Sequence, residues 1–247
     1  MFDLSFLISD TGIGDGSRYI DWLKQGLLWT LSVSLVSACI ASCLGIFIGV
    51  IRTLPSAPFL RLLSRIYVEI FRNIPLLIQL FLWFYVLPEI LPVRWGDWLK
   101  KDLNTFLSST SLLAEFIFSS LALGCYSAAR VAEQIRAGIQ ATAVEQVNAA
   151  KSLGLSQFQC YRFILIPQAL RTVWPILTSE LLSLFKNSSL AMTIGLLELT
   201  GQTRQISDYT FKTFEIFLIS TLLYIVISFV ITGAMRYIER LMTQRTR

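Results

Sequence analysis

A lysine beside a serine is one of the few nucleophile–base pairs open to a chain without histidine. The sequence offers one such pair, Lys186 with Ser188 or Ser189 in the run KNSSL. The other residues whose type and placement could do chemistry are Arg130, Glu133 and Glu180, each set in apolar surroundings. An ionisable group near the centre of a membrane helix costs ~2.5–3.5 kcal/mol, so each needs a purpose or a partner. Glu180 and Lys186 are six residues apart, ~240° around a helix, and cannot readily pair with each other. Each is expected to face another helix, a water-filled cavity or a partner subunit. Asn187, Ser188 and Ser189 could line a hydrophilic path with Lys186, or form interhelical hydrogen bonds that hold a bundle. Arg130 and Glu133 could pair at i, i+3, and Arg130 could instead snorkel to the edge of the bilayer.

Other chemistries are excluded or weak. There are 0 histidines, which removes His-dependent catalysis and most zinc sites. No GxxxxGK[ST] phosphate loop is present, so the chain does not bind ATP by that device. None of the 4 cysteines forms a CxxC pair, and Cys39 and Cys43, one helical turn apart in an apolar run, are expected to pack. The N-terminal stretch MFDLSFLISDTGIGDGSR is acidic and lacks a cleavage pattern, so no signal peptide is expected. Catalysis and metal binding are not expected of this chain.

The elements that must position these residues are apolar. Of 247 residues, 54% are hydrophobic, and the mean hydropathy is +0.63. Long uncharged runs point to membrane helices, each needing about 20 residues to cross. The runs predict an all-α membrane protein with five spans, at roughly 26–51, 74–91, 112–131, 173–197 and 216–235 of one transmembrane domain. Pro75 and Pro88 bracket the second and are expected to set its ends. Gly45 and Gly49 form a GxxxG pattern in the first, which permits close helix approach but also arises by chance. The net charge of +5 fits basic loops rather than nucleic-acid binding. One set of loops holds Arg52, Arg61, Arg65, Arg72, Arg136, Lys151, Arg162, Arg171, Arg236, Arg240, Arg245 and Arg247. The opposite set holds only Arg18, Lys24, Arg94, Lys100, Lys101, Arg204 and Lys212. The richer side is expected in the cytoplasm, with the N-terminus outside and the C-terminus inside. Trp95 and Trp98, in PVRWGDWLKKDL, and Trp22 and Trp29 are expected to anchor at the interface.

Between the third and fourth runs lies EQVNAAKSLGLSQFQCYRFILIPQA, a polar-marked stretch from Glu145 to Ala169. Gly154 suits a helix C-terminus and Ser156 an N-cap, and Pro167 can open the following span at its first turn. The stretch within 140–169 therefore predicts helix, tight turn, helix along the inner membrane face. Ala149 and Ala150 leave room for another protein's surface. The same pattern would also serve as an interfacial connector between spans.

NAAKSLGLSQFQCYRFILIPQA resembles the EAA loop of ABC-importer permease subunits, with Ala149, Ala150, Gly154 and Pro167 in their places. YVEIFRNIPLLIQ, EQIRAGI and KNSSLAMTIGLLEL resemble further signatures of the polar amino-acid uptake branch. AARVAEQIRAGI and WGDWLKKDL look most like permeases of glutamate/aspartate importers. The resemblance implies the type I importer permease fold, with the loop docking into a groove of a cytoplasmic ATPase through Glu145, Asn148, Ala149, Ala150 and Gly154. Asn148 stands where the family commonly has Glu, and Glu145, three residues earlier, is a candidate for the acidic role. The resemblance further implies a second permease subunit, a paralogous heterodimer rather than a homodimer, two ATPase subunits that bind ATP and Mg, and a periplasmic amino-acid-binding protein. It places the chain in a bacterial inner membrane. The family commonly carries an aromatic residue where Arg130 stands. A guanidinium there suits an acidic substrate side chain, which it can grip with two parallel hydrogen bonds. The same machinery could serve neutral or basic polar amino acids such as glutamine or arginine.

Overall fold

A computed structural model of the chain describes residues 5–12, 16–90, 112–141 and 144–244. The tryptophans Trp95 and Trp98, and the cations Arg94, Lys100, Lys101, Arg245 and Arg247, lie outside the described residues. The described residues are helical, with one isolated bridge, Asp10 to Arg18, and no named strand. The elements are α1 (Tyr19–Ile51), α2 (Pro58–Asn73), α3 (Leu76–Phe81), α4 (Leu87–Ile90), α5 (Leu113–Gln140), α6 (Val144–Ser152), α7 (Gln157–Cys160), α8 (Ile166–Asn187), α9 (Leu199–Thr210) and α10 (Thr213–Gln244). Short 3-10 segments span Ser5–Ile8 and Ser188–Ile194.

Residues Tyr19–Ile51 and Thr213–Leu241 are long and apolar enough to cross a membrane. The broken pair Pro58–Asn73 with Leu76–Ile90 adds a third crossing if the two helices count as one span. Helices α5 and α8, which hold the ionisable residues, fall below that apolar mark.

Two prolines sit inside continuous helix by the same device. A wide π turn, Leu82–Val86, joins α3 to α4 ahead of Pro88, and another, Tyr161–Leu165, joins α7 to α8 ahead of Pro167. Proline normally clashes with the carbonyl four residues back. In each wide turn the register shifts to i, i+5, as in Leu87 N–H to Leu82 C=O and Ile166 N–H to Tyr161 C=O. The shift makes room for the ring. Pro88 therefore does not end its helix, and Pro167 does not open a new one. Pro75 does coincide with a break, since Ile74 is extended between α2 and α3.

The chain divides into two compact units. The first comprises Met1–Ser37, Leu76–Leu123 and Leu184–Val230. Its core packs Tyr19, Trp22 and Leu23 against Leu199, Ile206 and Ile216, and a second cluster joins Leu80, Ala122 and Ile194. The second unit comprises Ala38–Pro75, Gly124–Ser183 and Ile231–Arg247. Its core is Val131, Ile135 and Ile139 of α5 with Leu165, Ala169 and Val173, flanked by Ile48, Val68, Ala129 and Ala132.

The two glycines of the GxxxG pattern lie in this second unit, against α5. A Cβ at Gly45 would stand 2.6 Å from Val131 Cβ, and one at Gly49 would stand 2.8 Å from the Ala132 carbonyl oxygen. Backbone cannot yield as a side chain can, so Gly49→Ala is expected to destabilise the folded chain by about 1–3 kcal/mol. Gly233, on α10, has nothing within 4 Å of an added Cβ, and Gly233→Ala should leave stability unchanged. Melting temperatures of both variants in detergent check the pair; equal melting would remove the close-packing account of Gly49.

Candidate functional site

Helix α5 brings a row of polar and charged side chains into the second unit. Tyr126, Arg130, Glu133, Gln134, Arg136 and Gln140 follow one another within four turns. The helix can carry them because its other face is paved with Ala128, Ala129, Val131, Ala132 and Ile135, all buried.

Glu133 is the centre of an ion cluster. Its carboxylate accepts hydrogen bonds from Arg52, at the end of α1, and from Arg136, one turn on, while Nη1 of Arg72 from α2 stands 3.9 Å away. Arg136 also donates to the Gln140 side-chain oxygen. Two guanidinium groups thus pair the Glu133 carboxylate on both of its oxygens. The cluster borders a cavity of about 650 Å³ lined also by Pro58, Arg61, Leu62, Arg65, Val68 and Glu69. The i, i+3 alternative, Arg130 with Glu133, does not form, because Glu133 is occupied by cations from α1, α2 and the next turn of α5.

Arg130 instead reaches α8. Its Nε stands 3.0 and 3.1 Å from the two carboxylate oxygens of Glu180, and Nη1 donates to the Tyr126 hydroxyl at 3.3 Å. The guanidinium also lies over the Tyr126 ring, 5.8 Å from its centroid, within range of a cation–π contact. Among the described residues Nη2 has no partner. Arg130, Glu180, Tyr126, Gln134, Arg72 and Glu133 line a second cavity of about 370 Å³. Glu180 is buried there and Arg130 is 40% exposed. A group that is held on one edge and open on the other can bind a carboxylate without first being ordered.

The remaining path candidates belong to the first unit. Lys186 is exposed at the end of α8, and Asn187 is half-buried. Ser188 is buried and its hydroxyl donates to the Phe185 carbonyl at 2.7 Å, while Ser189 donates to the Lys186 carbonyl at 2.8 Å. Both hydroxyls serve the backbone where α8 tightens into the 3-10 segment.

The polar stretch folds as an elbow. Helix α6 carries Glu145, Asn148, Ala149 and Ala150; Asn148 and Ala149 are exposed and Ala150 is buried. Gly154 takes φ +82°, a conformation that side chains resist. The Leu155 N–H returns to the Ala150 carbonyl at 3.1 Å, the six-to-one closure of a glycine-terminated helix. Ser156 then caps α7: its hydroxyl accepts from Gln159 N–H at 3.3 Å, and Gln159 Oε1 accepts from Ser156 N–H at 2.8 Å. This reciprocal cap satisfies both free donors. The Tyr161 hydroxyl, donating to the Thr53 carbonyl at 2.9 Å, ties the second limb to the end of α1. The elbow shows apolar surface at its bend, with Leu153 81% and Phe158 70% exposed.

Several residues of consequence escape the sequence reading. Arg52, Arg72 and Arg136 read there as loop cations, yet they surround Glu133. Glu198, in the first unit, is fully buried and caps α9, accepting from Thr200 and Gly201 N–H at 3.0 and 2.9 Å and from the Tyr224 and Thr30 hydroxyls at 3.0 and 3.2 Å. Its signal was the carboxylate directly before the helical run LTGQTRQIS.

Residues 41–244 match the model of the binding-protein-dependent transport system inner membrane component family. The glutamate/aspartate import permease protein GltJ of Escherichia coli (strain K12) is 40% identical over 224 residues, covering 91% of this chain and 88% of that protein. A probable amino-acid permease protein of Bacillus subtilis (strain 168), YxeN, is 31% identical over 92% of this chain and 98% of its own length. A chain in a crystal structure of an amino acid ABC transporter with histidines superposes with a TM-score of 0.71 at 30% identity, covering 90% of this chain and 94% of that one. A chain of the inward-facing MetNI methionine ABC transporter, at 21% identity and TM-score 0.66, shares the fold. With most of its length matched, this all-helical chain belongs to the family of inner-membrane permease components of binding-protein-dependent transport systems.

Proposed function

We propose that the chain is a permease subunit of an ATP-driven importer of the acidic amino acids glutamate and aspartate. The observation that carries the substrate class is Arg130: a partly exposed guanidinium, anchored by Glu180 and Tyr126, on a cavity of about 370 Å³. The likeness to a glutamate/aspartate permease at 40% identity supports the same class. Arg130 is assigned the substrate's side-chain carboxylate, and Glu180 holds the guanidinium in place. Glu133 is assigned to the Arg130 cavity that it lines, and Lys186, exposed at the end of α8, is assigned with Asn187 and Ser189 to a polar path in the first unit.

The driving step belongs to partners. ATP and Mg are held by two cytoplasmic ATPase subunits, which the elbow engages through Glu145, Asn148, Ala149 and Gly154, while Ala150 is buried and packs inward. A periplasmic binding protein delivers the amino acid, and a second, paralogous permease subunit completes the channel. The N-terminus faces the periplasm and the C-terminus the cytoplasm. The closure at Gly154 and the cap at Ser156 make a stiff bend, and the second limb runs unbroken through Pro167 into α8. A push on the elbow therefore reaches the helix that bears Glu180.

Uptake of labelled glutamate by the reconstituted complex, with excess unlabelled competitor, tests the assignment. Aspartate is expected to suppress uptake nearly completely, while glutamine and arginine leave it unchanged. Suppression by glutamine or arginine and not by aspartate would move the chain to the neutral or basic amino-acid importers.

A further inference from the structure

Helix α2 has two unlike faces. Arg61, Arg65 and Arg72 fall on one stripe with Val68, about 160° around the helix from Phe59, Leu63, Ile66 and Ile70. Those four apolar residues are 69%, 47%, 45% and 49% exposed. The arginine stripe lines the cavity of about 650 Å³, where Arg52 and Arg136 complete a set of five guanidinium groups against two carboxylates, Glu69 and Glu133. Arg52 and Arg136 are occupied by Glu133, and Arg65 donates to Glu69 at 2.8 Å. Arg61 has no carboxylate partner among the described residues, and Arg72 stands 3.9 Å from Glu133. The basin is thus left with uncompensated positive charge, and Pro58, Leu62 and Val68 give it an apolar edge.

We propose that this basin holds the phosphate headgroup of an anionic glycerophospholipid, with the acyl chains leaving over Leu62, 55% exposed at the basin's edge, toward the Phe59–Ile70 face of α2. A helix with an arginine stripe on one side and an exposed apolar stripe on the other suits the boundary between headgroups and hydrocarbon. A soluble phosphate would use the arginines and leave the apolar stripe uncovered. A lipid uses both. Arginine forks also match phosphate oxygens in paired hydrogen bonds. The basin shares Arg72 and Glu133 with the cavity of Arg130 and Glu180, while Arg61 and Arg65 line the basin alone.

The test uses the full-length chain in phosphatidylcholine bilayers doped with equal amounts of photoactivatable phosphatidylglycerol or photoactivatable phosphatidylcholine. Crosslinks are mapped by mass spectrometry. Phosphatidylglycerol is expected to label the Pro58–Arg72 segment about 25-fold more than phosphatidylcholine, with about a fivefold loss of that preference for each guanidinium removed. Arg61→Gln/Arg65→Gln should therefore label with both lipids alike, while the charge-keeping Arg61→Lys/Arg65→Lys retains most of the preference. Should the glutamine variant fail to fold, the wild-type ratio and the mapped position decide. Equal labelling of the wild type by both lipids, or labelling away from α2, overturns the proposal. Loss of the preference on adding millimolar inorganic phosphate, at matched ionic strength, also overturns it and assigns the basin to a soluble anion.

Discussion

Arg130→Tyr is expected to lower glutamate and aspartate uptake by about 10- to 100-fold, the effect of losing charge-assisted hydrogen bonds to a substrate carboxylate. The replacement does two things to the cavity. It removes the guanidinium, and it strands Glu180, whose carboxylate loses the partner 3.0 Å away. A lone carboxylate beside an acidic substrate repels it, so part of the loss is repulsion rather than missing grip. Arg130→Gln/Glu180→Gln separates the two. If Arg130 touches substrate, the double variant stays defective for glutamate. If Arg130 merely neutralises Glu180, the double variant recovers uptake. Unchanged uptake in Arg130→Tyr would remove Arg130 from the substrate path altogether. The measurement is initial-rate uptake in proteoliposomes with the complex at equal density, checked by immunoblot.

The second large effect is expected at Glu133. Glu133→Gln leaves Arg52, Arg72 and Arg136 crowded together without an anion, and stability should fall by about 2–3 kcal/mol. Melting temperatures of wild type and Glu133→Gln in detergent check it, and equal melting would show that the carboxylate does not hold the cluster together.

These two clusters also show where a sequence can and cannot be read. The elbow was legible because its determinants are local: Gly154 supplies a positive φ, and Ser156 caps a helix three residues ahead of Gln159. Helices α1 and α10 were legible from long apolar runs. Arg130 with Glu180 was not, because the partners are 50 residues apart, and no periodicity links α5 to α8. Glu133 was singled out as a charge needing a partner, but its partners sat in stretches that read as basic loops. Counting Arg52, Arg72 and Arg136 toward orientation hid their convergence on one carboxylate. The prolines misled for a related reason. The clash that should end a helix at Pro88 and Pro167 is relieved by a π turn, and nothing in LWFYV or YRFIL announces a wider register. Gly45 and Gly49 were ambiguous as a bare motif and became specific only with Val131 and Ala132 opposite them.

The account rests on the elbow as the point where an ATPase takes hold. Its most direct test is co-purification of the full-length chain with the cytoplasmic ATPase from membranes. The wild type should bring the ATPase down in stoichiometric amount. Leu153→Asp/Phe158→Asp, which places two charges on the exposed apolar bend, should lose it while the permease stays folded and in the membrane. Retention of the ATPase at wild-type stoichiometry by that variant, with amino-acid-dependent ATP hydrolysis intact, would contradict the account.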